Sequence, residues 1–116
     1  MFVRKNIFMK LSVIIPAYNE IDTIAEIIKR VMGVPIEKEI IVVDDGSTDG
    51  TREKIDSIIG IRVLKHKSNF GKGAAIRTGL ALAKGELTII QDADLEYNPR
   101  DYLKLIEISL ACKFFR

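Results

Sequence analysis

The chain has 116 residues, with 18 Lys and Arg against 16 Asp and Glu for a net charge of +2. That leaves room for one domain around one core, and the near balance of charge gives no concentrated basic surface for nucleic acid. Cys112 is the only cysteine, which excludes an internal disulfide, a cysteine-built zinc site and a CxxC redox motif, so a reducing, cytoplasmic compartment is expected.

Residues 1–10 mix apolar and basic side chains but lack the long apolar region and small-residue cleavage site of a secretory signal. They read as a frayed lead-in or an early start of the first strand, with a weak membrane-surface segment as the alternative. No run of about 18 apolar residues follows, so no membrane-spanning helix is expected. Leu11 to Ile15 form a β-branched apolar run that Pro16 is expected to stop. Ile21, Ile24, Ala25, Ile28 and Val31 then fall on one helical face, ended by Gly33 and Pro35. Glu39 to Val43 read as the second strand, and Ile55, Ile58 and Ile59 as a short second helix closed by Gly60. Ile61 to Leu64 alternate as a third strand, and Ala75, Ile76, Leu80 and Ala83 mark a third helix closed by Gly85. Leu87 to Ile90 are the fourth strand. Asn98 and Pro99 then cap a fourth helix carrying Tyr102, Leu103, Ile106 and Leu110.

Strand–helix alternation of this kind specifies right-handed crossovers and a mostly parallel sheet covered on both faces. One α/β domain over residues 1–116, a Rossmann-like three-layer α/β/α arrangement, is therefore expected. Such sheets bind ligands beyond the carboxyl ends of their strands. Three polar clusters fall there: Pro16–Glu20, Asp44–Asp49 and Asp92–Glu96.

Asp92-Ala93-Asp94 is the sharpest signal. Two carboxylates at spacing two just past a buried strand repel unless a cation neutralises them. Mg²⁺ or Mn²⁺ commonly bridges one or two such groups to substrate phosphates. In the second cluster a carboxylate can accept from a nucleobase edge or a ribose hydroxyl; Asp45 is assigned to ligand, and Thr48 or Asp49 to capping the next helix. Tyr18 can stack on a base with Glu20 bonding to it. Gly71 and Gly73 let backbone amides approach a ligand, and Lys72 can neutralise phosphate. The same segment fails as a dinucleotide fingerprint, since Ile76 stands where glycine or alanine is needed, and as a Walker loop, since Gly73 follows Lys72. A nucleotidyltransferase would carry a glycine-rich basic loop after the first strand, and a phospho-receiver a strand-borne lysine after Asp94; neither is present. His66 reads as a solvated strand-end histidine, and Arg77 is unassigned.

Residues 12–20 (SVIIPAYNE), 42–51 (VVDDGSTDGT), 69–75 (NFGKGAA) and 91–96 (QDADLE), taken together, resemble glycosyltransferase family 2, closest to its dolichyl-phosphate mannose synthase branch and the polyprenyl-phosphate glucose relatives. The likeness covers roughly residues 11 to 110. It implies a GT-A fold and a nucleoside-diphosphate sugar donor of the GDP-mannose or UDP-glucose type. Pro16, Tyr18, Glu20, Val43 and Asp45 would hold the nucleoside. Asp92, Ala93 and Asp94 would meet the diphosphate and sugar, with Asp92 and Asp94 catalytic, and Asp94 and Glu96 would bind Mg²⁺ or Mn²⁺. The expected reaction is metal-dependent, inverting transfer of mannose or glucose, with a polyprenyl or dolichyl phosphate as acceptor. Members of the family usually continue for about a hundred residues more, so this chain reads as truncated after its fourth βα unit, without the acceptor half. A non-catalytic nucleotide-sugar-binding module is the alternative. A homo-oligomer, a membrane partner subunit and a peripheral place at the cytoplasmic membrane face are the expected associations.

Overall fold

The computed structural model describes residues 10–94; the expected fourth helix, Glu96 and Cys112 lie outside the described residues. Seven elements follow one another: β1 (Leu11–Ala17), α1 (Ile24–Met32), β2 (Lys38–Asp44), α2 (Thr51–Asp56), β3 (Arg62–Lys65), α3 (Lys72–Leu82) and β4 (Leu87–Ile90). The strands form one parallel sheet in the order β3-β2-β1-β4. Parallel neighbours need a crossover, and each helix supplies one.

The sheet is covered on both faces, so its central strands are apolar at every other position on each side. Leu11, Val13, Ile15 and Ala17 of β1, with Ile40 and Val42 of β2, meet Ile24, Ile27, Ile28 and Val31 of α1 and Ile55 of α2. Ile41 and Val43 turn to the opposite face, where Ala75 of α3 covers them. The chain first steps outward from β1 to β2 to β3, then returns across the sheet through α3 to place β4 on the other side of β1. The gap between β1 and β4 is thus the point where connections reverse, the place at which open α/β sheets take ligands.

Three local readings of the sequence are corrected. Pro16 does not stop β1, which runs on to Ala17 with Pro16 in register with Val43. The Ile14 carbonyl accepts from Gln91 N–H at 2.8 Å, so even-numbered positions of β1 face β4, and β4 pairing ends at Ile14 with Ile90. The proline's missing N–H therefore falls where the ladder has already finished. Second, α2 closes at Asp56, and Ile59 beyond it is 92% exposed. The buried face of that helix is Thr51 and Ile55 rather than Ile55, Ile58 and Ile59. Third, α3 ends at Leu82, before Gly85, and buries Ala75 and Gly79 while Leu80 stays exposed. A β-carbon on Gly79 would stand 2.6 Å from Ile14 Cγ2. The helix lies so close to the sheet that a hydrogen is the only side chain that fits.

Replacing Gly79 with valine should therefore overpack this contact and lower unfolding free energy by roughly 1–3 kcal/mol. A urea titration followed by circular dichroism reads this directly, and a midpoint equal to or above that of the parent chain would contradict the close approach.

Candidate functional site

Polar side chains tie the strand-end loops to one another. Asn19 sits in the left-handed region at φ 52°, a conformation asparagine tolerates better than most residues. Its amide donates to Ser47 Oγ at 2.9 Å, and its Oδ1 accepts from Thr48 N–H at 2.8 Å. Glu20 N–H donates to Thr51 Oγ1 at 2.9 Å, and Ile21 N–H to Asp49 Oδ2 at 3.2 Å. Asp49 Oδ1 also takes Thr51 N–H at 2.9 Å. Neither candidate is the N-cap of α2, which is Gly50 without a side-chain cap; Asp49, one residue earlier, takes only the first helical N–H.

The second loop is joined to the third with the same thoroughness. Asp44 is fully buried and paired with Arg52 Nε at 2.7 Å, while Arg52 Nη2 donates to the His66 carbonyl at 2.7 Å. Gly46 has φ +79°, and a β-carbon there would lie 2.5 Å from the Ser68 carbonyl carbon. Both the backbone conformation and the space demand glycine. Beside it, the Asp45 carboxylate accepts from His66 Nδ1 at 2.8 Å and from Phe70 N–H at 3.0 Å on Oδ1. Its Oδ2 accepts from Gly71 N–H at 2.9 Å. Burial alone raises the pKa of this carboxyl, but the bonds from His66, Phe70 and Gly71 outweigh it and hold the group below the ordinary carboxylate range.

These loops enclose a cavity of about 300 Å³ at the carboxyl edge of the sheet. The end of β1 contributes Pro16, Ala17, Tyr18 and Glu20, and the end of β2 contributes Asp45. The segment opening α3 contributes Asn69, Gly71, Lys72 and Ala75, and the turn after β4 contributes Asp92, Ala93 and Asp94. Nine of the residues singled out from the sequence thus meet in one place: Pro16, Tyr18, Glu20, Asp45, Gly71, Lys72, Asp92, Ala93 and Asp94, while Gly73 does not line the cavity. Val43 is not among them: it pairs with Pro16 in the sheet, but its side chain is buried in the core cluster with Ile41 and Ala75. Glu96 lies outside the described residues.

Lys72 Nζ forms an ion pair with Asp92 Oδ1, which joins the N-terminus of α3 to the acidic turn. The Thr23 hydroxyl donates to the Ala93 carbonyl and ties that turn to the start of α1. Among the described residues no group of three His, Cys, Asp or Glu side chains gathers to hold a metal. Two cavity-lining carboxylates are nonetheless the protein share that a hard divalent cation commonly takes, with phosphate and water filling the rest of its shell. Their all-oxygen chemistry fits a hard divalent cation.

His66 is the residue the sequence misplaces. It is not a solvated surface group: its side chain is 13% exposed, and its second ring nitrogen, Nε2, lies 2.9 Å from Thr78 Oγ1. Arg52, Thr23 and Thr78 carry no motif signal either, since their partners come from loops distant in sequence.

A doubly wound parallel sheet with an acidic, polar cleft where its connections reverse defines a nucleotide-binding class of α/β protein. Within that class the chain belongs to glycosyl transferase family 2, whose profile, described as Glycosyl transferase family 2, matches residues 12–110. It is 38% identical over 104 residues to the dolichol-phosphate mannosyltransferase of Pyrococcus furiosus, covering 85% of this chain and 30% of the relative. A mannosyltransferase from Pyrobaculum calidifontis, solved in complex with GDP-Man and Mn²⁺, superposes with a TM-score of 0.71 at 30% identity, covering 83% of this chain and 30% of that one. Glucosyl-3-phosphoglycerate synthase from Mycobacterium tuberculosis, solved with Mn²⁺, UDP and glucosyl-3-phosphoglycerate, superposes at 0.73 and 32% identity, covering 88% of this chain and 40% of that one. The fold is GT-A, as in these glycosyltransferases. The chain spans about a third of the length of the curated relatives it matches.

A carboxyl whose pKa is depressed by folding stabilises above its unfolded value and loses that contribution as pH falls through the folded one. Glu39 and Asp49 are lowered like Asp45: for Glu39 burial opposes but bonds from Ser12 and the Lys84 amide prevail, and for Asp49 the Thr51 hydroxyl is the main cause. Melting temperature should hold steady from pH 7 to 5 and fall below about pH 4, the ordinary carboxylate range. In Asp45→Asn that fall should be shallower. Thermal melts across this range check it, and equal slopes for both proteins would contradict the assignment.

Proposed function

We propose that this chain is the donor-binding part of a glycosyltransferase that moves mannose or glucose from a nucleoside diphosphate to a polyprenyl or dolichyl phosphate, by single displacement with inversion. The observation that carries this reading is the shared cavity: Asp92 and Asp94 line the same space as Asp45 and Tyr18, so acidic and base-binding groups face one ligand. Tyr18, 43% exposed, offers a ring on which a base stacks, and Glu20 stands beside it. Asp45, with one acceptor site on Oδ2 left after Gly71, takes a donor from the nucleoside. The N-terminus of α3 attracts negative charge through the helix dipole, and Lys72 at that end neutralises the diphosphate.

Asp94 with Glu96 is the proposed holder of Mg²⁺ or Mn²⁺, and Asp92 beside it aligns the diphosphate and sugar. Such an ion, when bound, stabilises the charge that develops on the departing diphosphate. The solved relatives that hold Mn²⁺ with GDP-Man or UDP support this choice. A lipid phosphate is already anionic near neutral pH, so its oxygen needs no general base, whereas a hydroxyl acceptor would. The name of the P. furiosus relative supports a lipid-phosphate acceptor, which sets the reaction at a membrane surface although no described helix is long and apolar enough to cross one. The second reading is a nucleotide-sugar-binding module that makes the same contacts without turnover.

Isothermal titration with UDP and GDP, with and without Mn²⁺, tests the site. Asp94→Ala should leave the circular dichroism spectrum intact and weaken Mn²⁺-dependent binding about tenfold or more, at least 1.4 kcal/mol. Unchanged Mn²⁺-dependent affinity would refute the metal assignment. Turnover of a nucleotide sugar with a polyprenyl phosphate separates the two readings, since the module binds without it.

A further inference from the structure

Asp45, His66 and Thr78 form a continuous chain of hydrogen bonds from the cavity wall to the body of α3. The ionised Asp45 carboxylate can only accept, so His66 Nδ1 carries the proton shared at 2.8 Å with Oδ1. At the far side of the ring, Nε2 is 2.9 Å from Thr78 Oγ1. That hydroxyl donates to a bare Nε2 or accepts from a protonated one, so the ring is anchored in either state. The ring also meets Phe70 edge-on, with centroids 5.4 Å apart.

The consequence falls on Asp45. His66 and the Phe70 amide together saturate Oδ1, and Gly71 occupies one site on Oδ2. A carboxylate has about four acceptor sites, so a single one, on Oδ2, is left, and Asp45 lines the cavity. Without the His66 donor, Oδ1 would have an open site of its own, and the carboxylate could turn to present either oxygen.

We propose that His66, braced by Thr78, is a positioning residue of the nucleotide site: it fixes the Asp45 carboxylate so that one acceptor on Oδ2 meets the nucleoside. This rests on the reading of the cavity as a nucleoside-diphosphate site. It assigns a function to a histidine that touches no ligand and is neither a base nor a metal ligand, because both ring nitrogens are spent inside the protein.

Two substitutions divide the ring's two bonds. In His66→Asn the side-chain amide nitrogen stands near the place of Nδ1 and keeps the donor to Asp45. In His66→Gln it stands near the place of Nε2 and loses that donor. Both should fold, as circular dichroism and thermal melts of the full chain will show. Binding of UDP and GDP with Mn²⁺ by calorimetry should weaken about tenfold in His66→Gln, the scale of one misdirected hydrogen bond, and recover most of that loss in His66→Asn. Thr78→Val, which keeps the ring but frees it, should weaken binding by a smaller factor. Inorganic pyrophosphate with Mn²⁺, which has no nucleoside to meet Asp45, should bind all variants equally. Equal loss in Asn and Gln variants, no loss in Gln, or a parallel loss of pyrophosphate binding would each overturn the proposal. Absence of nucleoside-diphosphate binding by the unsubstituted chain would overturn the reading of the cavity and this inference with it.

Discussion

The Asp45 carboxylate, buried to 3% exposure and bonded by one imidazole and two backbone amides, is the interaction on which the site depends. It joins the end of β2 to the start of α3 across a sequence gap of 21 to 26 residues. A buried charge is stable only when it is hydrogen-bonded or paired, and the segment from His66 to Gly71 supplies the three donors that hold this one. That arrangement places Lys72 on the same cavity as Asp92. Removing the carboxylate would release the wall of the site and leave His66 Nδ1 and the Phe70 amide without this partner, while Gly71 N–H would keep Asn69 Oδ1 at 2.9 Å.

The rest of the architecture brings complementary groups to that wall. Strand order β3-β2-β1-β4 places β1 inside the sheet, and the reversal between β1 and β4 opens the cleft that the strand-end loops line. Asn19, Ser47, Thr48 and Asp49 lock the first two loops together, and Thr23 locks the turn after β4 to α1. The cavity is therefore bounded by loops held from several directions, as expected of a site whose groups must be in place before ligand arrives. The Lys72–Asp92 pair leaves cationic and anionic groups side by side, suited to a diphosphate and a divalent ion arriving together.

Much of this was legible in the sequence, for a physical reason. Strand runs such as Leu11 to Ile15 and Ile40 to Val43 are buried on both faces, so their composition alone marks them, and acidic clusters after such runs fall at the carboxyl edge by the geometry of crossovers. Where the reading failed, the deciding partner was remote in sequence. Pro16 looked like a stop because its tolerance depends on where β4 ends. The buried face of α3 was misjudged because Gly79, with no side chain, leaves no periodic signal and is buried through its closeness to Ile14. His66 looked solvated because Asp45 and Thr78, 21 and 12 residues away, reach it only in the folded chain.

The central proposal is that one cavity takes both the nucleoside and the metal-bound diphosphate. A crystal structure of the chain soaked with Mn²⁺ and UDP or GDP measures this most directly. The expected result is a base beside Tyr18 and Asp45, with the diphosphate between Lys72 and Asp94 and the ion touching an Asp94 oxygen. A nucleotide bound elsewhere on the sheet, or an ion on carboxylates remote from Asp94, would contradict it.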